Sequence, residues 1–173
     1  APVVGVAVTK GGASATVKRI AVTSGSWATA DAAGFLIIGA VTGGPFTAGA
    51  LGGGGTLTVS GAETAVTLPA GGSMEFDIGT VQANPLVYFV DGVGKAHEFD
   101  GDYIAPITTG NATDVPSHVM VHANHLHLSF GNSRQNSSVG NPFDWRALTG
   151  ASENKADGAI TCMERLAGDQ STG

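Results

Sequence analysis

Five histidines are the side chains in this chain most suited to chemistry. His118, His122, His125 and His127 fall within ten residues, and His97 lies upstream. On extended backbone, alternate side chains share a face. His118 and His122 then share one through Met120, and His125 and His127 share one opposite Leu126 and Leu128. A corner at Asn124 would make His122 and His125 neighbours. Three converging imidazoles suit Zn or another divalent metal, and His122, His125 and His127 are the candidate ligands. No carboxylate stands beside them at ligand spacing. The simpler reading places them on the wet face of a hairpin, with the leucines inward, and assigns no metal. A pH-sensitive contact is a further use for imidazoles at such a place.

Other reactive types carry less. There is no GxSxG, and Cys162 lies between Ile160 and Met163 in an apolar-flanked segment that reads as packing. Asp91, Asp100, Asp102 and Asp114 resemble a glycosidase carboxylate pair only superficially. They stand mostly beside glycines or at turns, where Asp bonds to its own backbone. Gly52–Gly55 precedes a strand pattern and lacks the Lys and Ser/Thr of a phosphate loop, so it reads as a corner. Asn111 and Asn136 head N-x-S/T triplets, but without a secretory signal they are not read as glycosylation sites. No catalytic residue, cofactor or metal is assigned, and the chain is read as non-enzymatic.

Short strands must position these residues. Alternation or apolar runs predict strands over Thr16–Thr23, Gly34–Val41, Thr56–Ser60, Thr64–Leu68, Ser73–Ile78 and Leu86–Val90. More are expected over Lys95–Phe99, Tyr103–Ile107, Ser117–Ala123, His125–Phe130, Ser133–Val139 and Ala159–Arg165. Within Ser73–Ile78 the half-buried pattern sets Met74, Phe76 and Ile78 on one face and Glu75 and Asp77 on the other. Asp91-Gly92 and Asp100-Gly101 fit hairpin corners. Helix is nearly absent: Asp144–Leu148, capped by Asp144, and Ser152–Ala156 are the weak candidates.

Composition agrees with strands and corners. Glycine supplies 27 of 173 residues, roughly twice the usual share of about 7%. Charged residues are 13% and hydrophobics 42%, which excludes a disordered tail. The net charge of -6 argues against binding nucleic acid by phosphate neutralisation. One cysteine excludes an internal disulfide framework. Apolar runs are far shorter than the roughly 20 residues of a membrane helix, and the N-terminus lacks a secretory pattern. No membrane partner is expected. Residues 1–85 hold three basic and four acidic residues, whereas 86–173 hold five and ten. The shift near Asn84-Pro85 divides the chain into a Gly/Ala-rich domain, 1–85, and a meander, 86–173. The expected fold is all-β: a small β-sandwich or barrel domain, then an antiparallel meander of the kind stacked in β-propellers.

The stretches Tyr88–Gly101, Pro106–Gly110, Pro116–Phe130 and Ser137–Trp145 together resemble a family. They look like the β-propeller-bearing nozzle, or tail-hub, proteins of short-tailed, podovirus-like phages. Asn124, Leu126, Leu128 and Ser129 match one element of its blade pattern. Ser138, Gly140, Pro142 and Trp145 match the next. The likeness covers about 86–150. Gly25-Ser26-Trp27, Ala33-Gly34 and Gly43-Gly44-Pro45-Phe46 resemble, less specifically, an inserted β domain of some members. The resemblance implies a virion structural protein of the phage tail, forming a homo-oligomeric ring. Its neighbours would be other tail or portal-adaptor proteins, and genomic DNA would pass through it without specific binding. Asn124 would form a left-handed corner, Leu126 and Leu128 an inter-blade core, and Pro142 and Trp145 a strand end and edge cover. A propeller needs four or more blades of about 40 residues. The chain is therefore expected to be one part of a longer protein. The alternative reading is a carbohydrate- or receptor-binding module of a tail fibre or capsid decoration, with Trp27, Trp145, Tyr88 and Tyr103 available to stack on sugars.

Overall fold

The computed structural model describes residues 1–53 and 57–165. Among these the chain is all-β, with four antiparallel sheets, none closed into a barrel. It divides into two compact units. Of the described residues, the first comprises those of 1–68 with the hairpin tip 99–105, and the second those of 69–98 and 106–165.

In the first unit, β1 (Ala7–Lys10), β2 (Ala13–Ser24) and β3 (Ala33–Thr42) form one antiparallel sheet in chain order. Strands β4 (Gly49–Leu51) and β5 (Leu57–Val59) form a ribbon. A bridge between Thr9 and Gly52 joins the ribbon to β1. Alternation in β2 buries Ala13, Ala15 and Val17 against Val8, Phe46 and Leu51. Full burial of each larger side chain contributes about 1.5–3 kcal/mol. Because β4 pairs with β5, the three-stranded sheet stays open. The barrel form of the expected first domain is thus not what forms. Residues Thr64–Leu68 have no strand partner and are exposed, so alternation alone did not make a strand there. Gly54, Gly55 and Thr56, in the glycine run and at the head of the expected Thr56 strand, lie outside the described residues.

Two four-stranded sheets follow. Strands β6 (Glu75–Gly79), β7 (Leu86–Val90), β8 (Ala96–Phe99) and β9 (Ile104–Ile107) pair in chain order. So do β10 (His118–His122), β11 (His125–Phe130), β12 (Ser133–Asn136) and β13 (Ser152–Lys155). Each sheet is an up-and-down meander, and each puts its first strand at an edge. The loop holding Asn84-Pro85 joins β6 to β7, and Gly79 pairs with Leu86 across it. The composition shift therefore falls inside a hairpin, and the compact units part between Leu68 and Pro69.

Three local expectations are corrected. Ser152–Ala156 is not helical: Ser152–Lys155 pairs with β12, whose partners satisfy its backbone. Asp144–Leu148 gives only a 3₁₀ turn at Ala147–Thr149. Ala159–Arg165 is not a strand, although Ile160 N–H donates to the Gly131 carbonyl at 2.8 Å.

Strand β6 covers its acidic face rather than its apolar one. Met74, Phe76 and Ile78 are 62, 63 and 54% exposed, while Glu75 and Asp77 face inward toward β10. The reason is an unpaired edge. β10 bonds to β11 on one side only, leaving backbone N–H groups on the other. Glu75 Oε1 accepts from Val119 N–H at 3.1 Å, and Asp77 Oδ2 accepts from Val121 N–H at 2.8 Å. Two carboxylates spaced by two residues thus match two donors spaced by two.

Candidate functional site

Three of the histidines, His122, His125 and His127, meet Asn124 and Leu126 at the β10–β11 corner. His122 pairs with His125 across a two-residue turn. Ala123 and Asn124 have φ of 48° and 60°, the left-handed geometry that a type I′ turn requires at both positions. Asn124 therefore sits at a left-handed corner. Register then places Met120 opposite His127, so His118, Met120, His122, His125 and His127 share one face. Leu126 and Leu128 point the other way and are wholly buried.

The loop after β12 docks onto this corner. Gly140 N–H donates to the Asn124 carbonyl at 2.9 Å, from a φ of 71° that suits glycine. Ser137 N–H donates to the Leu126 carbonyl at 2.9 Å, and Ser137 Oγ accepts from Leu126 N–H at 3.0 Å. Ser138 bridges Asn141, and its N–H donates to the Asp144 carbonyl at 2.8 Å. Phe143 and Pro142 are buried. Trp145 Nε1 donates to the Pro142 carbonyl at 2.9 Å, so the indole polar end is satisfied within its own loop. Strand β12 already ends at Asn136, ahead of Pro142. Asp144 grips Arg146 at two points, 2.9 and 2.7 Å, and this bond holds its carboxyl below the usual range. Asn136 is buried, and its side chain bonds to the Ser137 carbonyl at 3.0 Å.

The histidines differ sharply in environment. His118 is fully engaged: Nδ1 lies 2.8 Å from Glu75 Oε2 and Nε2 lies 3.2 Å from the Ile160 carbonyl oxygen. His125 is half-buried, with Nδ1 2.6 Å from the Ser137 carbonyl oxygen. That bond assigns the Nδ1 hydrogen and leaves Nε2 with its lone pair in the neutral ring. His122 is exposed. His127 is buried, and neither ring nitrogen has a partner at hydrogen-bond distance, although the His122 backbone acts weakly on the ring. Loss of hydration pushes its pKa down to about 4, and positive charge at Arg134 acts in the same direction. Its ring centroid lies 6.0 Å from that of His125 and 6.3 Å from that of His122. Among the described residues, no three His, Cys, Asp or Glu groups converge as placed to hold a metal. His97 stands apart in β8, buried and stacked on Phe89 at 5.1 Å, with its pKa lowered chiefly by burial.

Asp91, Asp100 and Asp114 do turn work, whereas the Asp102 carboxylate pairs with Lys18 at 2.6 Å. Asp91 Oδ1 accepts from Val93 and Gly94 N–H, and Asp100 Oδ1 from Asp102 and Tyr103 N–H. Asp114 holds Thr109 through its N–H and hydroxyl. Cys162 is exposed, which corrects its reading as a packing residue.

Sequence reasoning missed Glu75, Asp77 and Arg165 as one group. Arg165 Nη2 lies 2.8 Å from Asp77 Oδ1, so 156–165 returns to the β6–β10 junction. The signal present is the two-residue spacing of the acids, but alternation alone does not say which face is covered. No described helix is long and apolar enough to cross a membrane. No known family, curated protein or solved structure matches the chain.

Proposed function

We propose that this chain is a non-enzymatic structural component of a virion, part of the nozzle or hub of a short phage tail. It would work by packing with copies of itself in a ring around a DNA conduit, next to other tail or portal-adaptor proteins. The carrying observation is the pair of consecutive four-stranded meanders, β6–β9 and β10–β13. Repetition of such sheets is the construction of propeller blades. The residues behind the family resemblance support the reading physically. At one corner of the second sheet Gly140 bonds to Asn124 and Ser137 to Leu126, and Ser138 bridges Asn141 in the same loop. The exposed stripe of Met74, Phe76 and Ile78 supplies apolar surface for subunit contact.

An acidic surface suits a conduit, because it repels the passing polymer. Residues 86–173 carry the larger acidic excess and are the proposed lumen side. Native mass spectrometry and electron microscopy of intact particles test the reading. A closed ring on the tail axis, with 86–173 toward an acidic lumen, is expected. A monomer located at fibre tips, or a lumen lined by Lys and Arg, would overturn it.

The binding-module alternative draws on Trp27, 40% exposed beside the bonded Ser26, Thr29 and Asp31. Glycan-array binding lost on Trp27→Ala would favour it.

A further inference from the structure

The face shared by His122, His125 and His127 contains an anomaly. A buried polar side chain ordinarily has a partner, and one without it calls for an explanation such as a bound ion or water. His127 is 7% exposed, and neither of its ring nitrogens has a partner at hydrogen-bond distance; of backbone groups only that of His122 acts on the ring, and weakly. Its neighbours on that face are two more imidazoles. His125 has Nδ1 fixed by the Ser137 carbonyl at 2.6 Å, leaving Nε2 to offer a lone pair. A backbone carbonyl on the far nitrogen is the usual second support of a metal-binding histidine.

We propose that His125 and His127, joined by the exposed His122, form a binding site for a divalent transition-metal cation such as Zn²⁺, Ni²⁺ or Cu²⁺. Residues two apart on β11 project to the same face, so His125 and His127 chelate as a pair, and the tight turn brings His122 from β10. Centroids stand 6.0 and 6.3 Å apart. Rings sharing a tetrahedral ion through bonds of about 2.0–2.1 Å would stand about 5 Å apart. Closure therefore takes about 1 Å per pair, through ring rotation at the exposed His122 for one pair and at the half-buried His125 for the other. Imidazole nitrogen selects borderline metals over Mg²⁺ or Ca²⁺. The nearby Arg134 charge weakens the site, so micromolar affinity is expected. Water completes the coordination. The site is independent of the proposed tail role.

The test uses the full chain carrying Cys162→Ser, so that the exposed thiol cannot bind metal. Zn²⁺ is titrated by calorimetry, and Cu²⁺ is followed by electron paramagnetic resonance. One equivalent is expected to bind, with imidazole nitrogen couplings in the Cu²⁺ spectrum. His125→Ala is expected to weaken binding at least about tenfold, and His127→Gln similarly. His122→Ala should remove one nitrogen coupling with a smaller loss of affinity. His125 is only half-buried, so its variant remains decisive if His127→Gln fails to fold. Absence of stoichiometric binding, or unchanged affinity in His125→Ala, would overturn the proposal.

Discussion

Asp77 accepts the backbone N–H of Val121 at 2.8 Å, so a β6 side chain occupies the place of a neighbouring strand's carbonyl. Glu75 does the same for Val119 two residues earlier. Asp77→Ala leaves that donor without its acceptor, and Arg165 loses its partner. A loss of about 1–3 kcal/mol is expected in denaturant unfolding. Asp77→Asn retains an acceptor and should lose less. Amide exchange at Val121 should quicken in the alanine variant and change little in the asparagine one.

Gly79 ends the same strand against Val121. A Cβ there would lie 2.5 Å from Val121 Cγ1 and 2.6 Å from its Cβ. Gly79→Ala should therefore destabilise by about 1–3 kcal/mol through overpacking. Adding Val121→Ala should recover part of that loss. A double-mutant cycle with no coupling between the positions would refute this explanation.

Ala123 holds a left-handed φ of 48° without a polar side chain to compensate. That conformation costs a non-glycine residue about 1–2 kcal/mol. Ala123→Gly should relieve most of it, less about 0.4–1 kcal/mol lost to the more flexible unfolded chain. A modest rise in melting temperature is expected. A fall would show that the turn depends on the alanine methyl.

The pH dependence follows from His127, whose folded pKa is lowered from 6.5 to about 4. Between those values the unfolded chain binds the proton and the folded chain does not. Stability is therefore complete above about pH 6.5, falls as pH drops toward 4, and levels off below, as far as this group is concerned. The loss is at most about 3.5 kcal/mol, since each pKa unit is about 1.4 kcal/mol. His97, also lowered by burial, acts in the same direction. Metal-free protein in which His127→Leu still folds should show a flatter profile between pH 4 and 6.5.

Alternation and Gly-containing corners largely determined the all-β class and most strand positions. Leu86–Val90 forms a strand through its β-branched and aromatic residues, and His125–Phe130 through the alternation that turns Leu126 and Leu128 to the core. The corner at Asn124 was equally legible, since two residues between paired strands leave few backbone solutions. Alternation identifies two faces but does not say which is covered. Only the tertiary structure decided that Glu75 and Asp77 face inward, because the donors they satisfy belong to β10, some forty residues away. Partner availability likewise made Ser152–Lys155 a strand and left Thr64–Leu68 unpaired. For the histidines, spacing supplied their shared face. Burial and the Ser137 carbonyl, set by a loop ten residues downstream, distinguished His127 and His125 from the engaged His118. Local backbone geometry is written in neighbouring residues, whereas hydration and polar satisfaction depend on which distant segment arrives.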